Sequence, residues 1–337
     1  MSASATITSV PPTLFLTDDD VSQLHSWKDA IEALRAAYAA PVREQMVPPR
    51  SMARGDGIWL RTLSAISPSG GHLGSKLISA SPRAGCASYL ISLFDEQTMA
   101  LSALIDGNQI TAIRTAATAA IAVDALAPQR PLRVAMIGAG FEARSQLNAL
   151  NAARSLHSVS VFSPTPASRE RFAADFRDRL GIDISAVASA QAAVAGADVV
   201  ICAARSRDES PVLLGQWLEP GMTVISIGST LPEQREVDVD VIARAGLIVA
   251  DMVEEVAHDT GDMIAANRAG ILFSEKLHSL AELIGGRLAP RSSGQIALYK
   301  SVGSALQDVV TAEMLLRRAR EHGKGSALPV SIAPVRK

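Results

Sequence analysis

Apolar positions in the first 130 residues come in short groups with two different periods. Thr17 followed by Asp18, Asp19 and Asp20 predicts a helix start: the hydroxyl caps free N–H groups, and the acids face the positive end of the helix dipole. Val21, Leu24, Ile31 and Leu34 then share one face, so the helix is expected to reach about Ala39 and stop at Pro41. After Pro48-Pro49-Arg50 the pattern shortens. Ile58–Leu63, Leu73–Ser79, Tyr89–Phe94 and Leu101–Ile105 are separated by Gly, Pro, Ser and Asp, which predicts an antiparallel sheet. Ile110–Leu126 reads as an Ala-rich helix, small enough in section for another helix to approach, and Ala127-Pro128 closes this part near residue 130.

From Leu132 the rhythm becomes strand–helix alternation, the pattern of a parallel sheet covered on both faces. Strands are predicted at 133–137, 158–162, 198–203, 223–227 and 247–250, with helices at 143–153, 167–179, 189–195 and 239–244. A short helix is expected at 274–284, a loop at 285–294, and a long helix over Gln295–Glu321, where Ile296, Leu298, Val302, Leu306, Val309, Ala312 and Leu315 fit helical spacing. Residues 1–13 and the tail after Gly323 are expected to be loose. The first of these strands runs into Gly138-Ala139-Gly140-Phe141-Glu142-Ala143, a G-x-G-x-x-A dinucleotide fingerprint. Gly138 permits the tight turn, Gly140 admits a pyrophosphate to the backbone, and Ala143 lets helix and strand pack closely. The N-terminal turn carrying Phe141 and Glu142 offers N–H groups and a positive dipole end to phosphate.

Composition narrows the function. The 337 residues are 48% hydrophobic and 20% charged with a net charge of −2, which suits a globular protein of about two domains. Near-neutral charge and 4% aromatic residues disfavour a nucleic-acid surface. No apolar run approaches the roughly 18 residues that span a bilayer, and the N-terminus lacks the basic and apolar regions of a signal peptide, so a cytoplasmic protein is expected. Cys86 and Cys202 provide neither a disulfide framework nor a metal-ligand set, and both read as inert core thiols.

Two groups of residues carry candidate chemistry. At the end of the second strand an NAD site normally presents an acid to the ribose hydroxyls. Here Ser163-Pro164-Thr165 is followed by Arg169, which favours NADP(H), with NAD(H) as second choice. Upstream, Arg50, Lys76 and Arg114 fall where side chains are expected to be buried, and buried cations require an anionic partner. The alternatives at this point are surface exposure, pairing with Asp95 or Asp106, or an acidic substrate.

Several runs together resemble the ornithine cyclodeaminase/mu-crystallin family. They are Ile110-Thr111-Ala112-Ile113-Arg114-Thr115-Ala116-Ala117, the glycine fingerprint, Gly228-Ser229-Thr230-Leu231-Pro232 with Arg235-Glu236, and Tyr299-Lys300-Ser301-Val302-Gly303. The resemblance implies an α/β fold: a Rossmann domain (130–294) inserted in a smaller α+β substrate and dimerisation domain (1–129, with 295–337 returning to it). It implies a homodimer, Arg50, Lys76 and Arg114 as substrate-carboxylate ligands, Lys76, Arg114 and Thr230 at the reacting centre, and Gly228 and Ser229 at the cofactor. Thr230 stands where cyclodeaminases of the family have an aspartate, and a hydroxyl cannot act as that base. Only Asp56 lies between Arg50 and Lys76 to hold a distal ammonium. The expected activity is therefore NAD(P)H-dependent reduction of a small α-imino or α-keto acid, such as a pyrroline or piperideine carboxylate, to an amino acid. The competing readings are an ornithine cyclodeaminase and a non-catalytic NADPH-dependent ligand-binding protein of the mu-crystallin kind.

Overall fold

A computed structural model describes residues 11–206, 208–332 and 334–335. The chain separates into two compact units. One comprises Met1–Ala37, Pro41–Arg114 and Ala305–Lys337, and the other Tyr38–Ala40 and Thr115–Ser304.

The first unit opens with β1 (Leu14–Leu16), α1 (Asp18–Leu24) and α2 (Trp27–Ala39). β2 (Ser51–Gly55), β3 (Ile58–Ile66), β4 (His72–Ser81), β5 (Cys86–Asp95) and β6 (Leu101–Asp106) then form an antiparallel meander, with β1 parallel to β6 at its far side. Alternation sets the faces: Leu63, Lys76, Ile91 and Ile105 stand opposite one another in one cross-strand row and all are buried. The helix α3 (Asn108–Leu126) begins in this unit.

The second unit contains β7 (Leu132–Ile137), α4 (Phe141–Ala153), β8 (Leu156–Phe162), α5 (Pro166–Leu180), β9 (Asp183–Ala186), α6 (Ala190–Val194), β10 (Val199–Cys202) and β11 (Thr223–Ser226). α7 (Val239–Arg244), β12 (Ala245–Ala250), α8 (Val253–Asp259), α9 (Gly261–Arg268), β13 (Leu277–Ser279), α10 (Leu280–Ile284) and β14 (Ile296–Lys300) complete it. The chain then returns to the first unit through α11 (Ala305–His322) and β15 (Ser326–Ala327). The eight strands of the second unit are parallel and ordered β13-β12-β14-β11-β10-β7-β8-β9. This is a Rossmann-type α/β unit, inserted in the chain of an α+β unit. Strand order reverses between β7 and β10, the switch point at which open α/β sheets bind ligands outside their carboxyl ends.

Five local expectations need correction, the first being the short helix over 274–284: Leu277–Ser279 is the strand β13 paired with β12, and only Leu280–Ile284 is α-helical. The helix expected over residues 18–39 breaks at His25-Ser26, because Ser26 Oγ accepts from Asp29 N at 3.3 Å and starts a second helix. The helix expected from Gln295 begins at Ala305. Ile296–Lys300 is instead a fully buried strand between β11 and β12, and Gly303 turns the chain at φ 76°. The arm and tail are tied down where they are described: Thr13 Oγ1 donates to Leu101 O at 2.6 Å, Leu328 N donates to Thr13 O at 2.9 Å, and β15 pairs with β1. Residues 1–10 of the arm lie outside the described residues. Cys202 is buried as expected, but Cys86 is exposed, since it starts β5 on the uncovered face of the meander.

Candidate functional site

The glycine edge of the second unit is built by the turn after β7. Gly138 has φ 118°, and a Cβ there would stand 2.6 Å from Ala203 O in the segment after β10, so only glycine fits. Gly140 is different. A Cβ at this position would meet nothing within 4 Å, so no protein atom requires the glycine, while the open space beside it suits a pyrophosphate approaching the backbone. Gly140 is the N-cap of α4 with no side-chain cap. The first-turn N–H groups, flanked by Phe141 (54% exposed) and Glu142, therefore lack that competitor for a ligand. Ala143 is buried, as close helix packing demands. A nicotinamide dinucleotide is compatible with these residues.

The segment after β8 brings Ser163, Thr165 and Arg169 together. Arg169 donates to Ser163 O at 2.8 Å with its guanidinium over the Phe162 ring, and the Thr165 side chain does not cap α5. After β11, Gly228 N donates to Glu236 Oε2 at 2.9 Å and Ser229 Oγ to Gln234 O at 2.6 Å. Thr230 donates to Gln234 Oε1 from both N (2.9 Å) and Oγ1 (3.2 Å). All three segments leave the carboxyl edge of one parallel sheet.

In the first unit Lys76 and Arg114 converge on one carboxylate that sequence reasoning did not single out. Lys76 Nζ lies 2.9 Å from Asp308 Oδ1 and donates to Thr111 Oγ1 at 2.7 Å. Arg114 Nε lies 3.3 Å from the same Asp308 oxygen, and its NH1 donates to Gln307 Oε1 at 3.0 Å. Lys76 and Asp308 are each 1% exposed and Arg114 11%. Neither Asp95 nor Asp106 is the partner these contacts provide. The β-meander presents Lys76, α3 presents Thr111 and Arg114, and α11 presents Gln307 and Asp308. The approach of α11 to the sheet depends on Gly74, where a Cβ would stand 2.5 Å from Ser92 O and 3.2 Å from Val309 Cγ2. Arg50 is half-buried directly before β2. Ser51 pairs with Thr62, whose neighbour Leu63 faces Lys76, so Arg50 continues that row about 10 Å of sheet away from Lys76.

A second buried charge network lies under the Gly228–Thr230 segment. Lys300 Nζ pairs with Asp262 Oδ2 at 3.0 Å and donates to Ser226 Oγ at 2.9 Å and Ser229 O at 3.1 Å. Ser226 Oγ donates to Glu236 Oε2 at 2.6 Å. Lys300, Asp262 and Glu236 are all 0% exposed. Desolvation is the largest influence on Glu236 and outweighs Lys300 and the hydrogen bonds, pushing its carboxyl up from 4.5 to about 7. Beyond it, Asp251 accepts from Ser301 Oγ (2.6 Å), Val302 N (3.0 Å) and Gly303 N (2.8 Å), which fixes the turn after β14. A lysine inside the apolar run Ile296–Lys300 was the available signal for the network, and helical spacing concealed it.

Comparison with known proteins gives a consistent result. The model of the ornithine cyclodeaminase/mu-crystallin family matches residues 13–323. The ketimine reductase mu-crystallin of Mus musculus is 32% identical over 225 residues, 67% of this chain and 67% of that protein. A Delta(1)-pyrroline-2-carboxylate reductase of Bacillus cereus is 29% identical over 241 residues, 71% and 73% of the two chains. Among solved structures, the Thermococcus litoralis Delta(1)-pyrroline-2-carboxylate reductase in complex with NADH and L-proline superposes with a TM-score of 0.85 at 29% identity, over 94% of this chain and all of that one.

Proposed function

The chain belongs to the ornithine cyclodeaminase/mu-crystallin family, and from that premise we propose that it is an NAD(P)H-dependent reductase converting a small α-imino or α-keto acid to an amino acid. A cyclic ketimine such as a pyrroline- or piperideine-2-carboxylate is the preferred substrate class. The observation that carries this reading is the buried Lys76–Asp308–Arg114 cluster. It gathers two buried cations from two elements around one carboxylate, a setting that favours an anionic substrate group. Reductases of pyrroline carboxylate and ketimine among the relatives support the same chemistry.

In this account the first unit binds the substrate and the second the nucleotide. The nicotinamide cofactor supplies the hydride. Arg114 and Lys76, aligned by Asp308 and joined by Arg50, hold the carboxylate and thereby fix the imine carbon, a positioning effect. Thr230, which the family resemblance places at the reacting centre, donates its hydroxyl hydrogen to Gln234 Oε1, so its oxygen lone pairs stay available as acceptors. A threonine cannot act as a base, so cyclodeamination of ornithine is disfavoured, whereas reduction asks for no base there. Ser163, Thr165 and Arg169, with no acid among them, favour NADP(H), and NAD(H) is accepted as the alternative.

The uncovered face of the meander carries Ile58 (60% exposed), Leu60 and Ile66, and Ile58 and Leu60 line a cavity with Ala53, Ser79 and Ser88. Exposed apolar surface of this kind supports a homodimer. Among the described residues no helix is long and apolar enough to cross a membrane; we assign the enzyme to the cytoplasm. Arg114→Ala tests the site. Imine turnover should fall at least tenfold with substrate binding weakened by about 1.5–3 kcal/mol, while nucleotide affinity stays within about twofold. Unchanged steady-state kinetics would refute the assignment.

A further inference from the structure

Glu236 has no part in the reaction described above, yet it joins both ends of the loop that carries Gly228, Ser229 and Thr230. Its Oε2 accepts from Ser226 Oγ at 2.6 Å and from Gly228 N at 2.9 Å. Its own N–H and that of Val237 donate to Asp262 Oδ1 at 2.9 and 3.2 Å. Lys300 closes the circuit by holding Asp262, Ser226 Oγ and Ser229 O. The fit is tight, since a Cβ at Gly228 would stand 2.4 Å from Glu236 Oε1. Glycine at 228 is thus demanded by the carboxyl beneath it.

We propose that Glu236 is a positioning residue for the nicotinamide-nucleotide site, holding the Gly228–Thr230 backbone in its receptive shape through Ser226 and Gly228. The proposal rests on the nucleotide-dependent function inferred above. Four other titratable or charged groups bear on Glu236: Lys300 from β14, Asp262 from α9, the buried Cys202 thiol from β10, and Arg235 beside it, which engages Asp262 at 3.3 Å. Asp262 is met by both Lys300 and Arg235, whereas the Glu236 carboxyl is buried at 0% exposure among Ser226, Gly228 and Lys300. Because burial raises the Glu236 carboxyl to about 7, this network exchanges one proton near neutrality. Ionised, Glu236 puts a negative charge under a segment that receives an anionic ligand. Protonated, it keeps the backbone contacts without that charge. Nucleotide binding consequently weakens as pH rises through 7, and bound nucleotide favours the protonated form by the same factor.

The test is a fluorescence titration of the full-length protein with NADPH and with NADH between about pH 6 and 8.5, with no imino acid present. Wild type is expected to lose about threefold in affinity across this range, and Glu236→Gln, which cannot ionise, to show a flat profile. Glu236→Ala, which strips Ser226 and Gly228 of their acceptor, should bind about tenfold more weakly at every pH with unchanged circular dichroism. If the alanine variant does not fold, the glutamine profile carries the test. A Glu236→Gln profile with the wild-type slope, or wild-type binding by Glu236→Ala, overturns the proposal alone. Failure of the wild type to bind either nucleotide overturns it together with the proposed function.

Discussion

Asp308 shows what single residues do in this protein and how far they can be read in advance. Its carboxylate lies within 3.3 Å of two cations from two other elements and is itself 1% exposed. Asp308→Asn keeps the shape and removes the negative charge that faces buried Lys76 at 2.9 Å. Losing one partner of a buried pair costs about 3–5 kcal/mol, so the variant should unfold at a lower denaturant midpoint and bind the imino acid in a changed, weaker way. A midpoint equal to wild type would mean that Lys76 is compensated elsewhere. Two of the cations were legible as buried ones, because Lys76 and Arg114 sit in runs with no room for charge; Arg50, expected to be buried with them, is only half-buried. Their acid was not. Asp308 lies 232 residues from Lys76 in a helical pattern that tolerates a polar position, and only the tertiary fold distinguishes a solvated acid from a buried one. Glu236 was similarly hidden: Arg235-Glu236 looks like an ordinary surface pair, although one member is fully buried.

Among the elements, those with a local mechanical signature were readable. The turn from β7 to α4 shows the glycine that the backbone needs, Gly138 at φ 118°, and one that no protein atom requires, Gly140, proposed to admit the pyrophosphate. The two make different predictions. Gly140→Val meets no protein atom within 4 Å of its Cβ, so the protein should fold with wild-type circular dichroism. Its side chain would fill the space of the pyrophosphate, and nucleotide titration should show affinity reduced at least about a hundredfold. Tight binding by the variant would reduce the fingerprint to a turn. β14 was not readable. Ile296, Leu298 and Val302 fit alternation as well as helical spacing, and the strand's partners β12 and β11 lie about 50 and 74 residues upstream. What distinguishes a strand here is the slot between those two partners, which is a property of the assembled sheet.

Over the whole molecule, one chain supplies an antiparallel meander with a buried cationic cluster and a parallel sheet with a nucleotide-binding edge. The alternation after Leu132 made the second legible, and the punctuated short runs before Ile105 the first. The returning segment was legible only in part, because its strand belongs to the second unit and its helix to the first. In the proposed reaction each feature has a place: a fixed carboxylate, an imine without a neighbouring base, and a bound reductant. The most direct measurement is NADPH and NADH oxidation by the purified protein with Δ1-pyrroline-2-carboxylate, the amino acid product being quantified alongside. The account predicts one proline formed for each reduced nucleotide consumed. Tight nucleotide binding without nucleotide consumption, on this imine and on a panel of α-imino and α-keto acids, would contradict it.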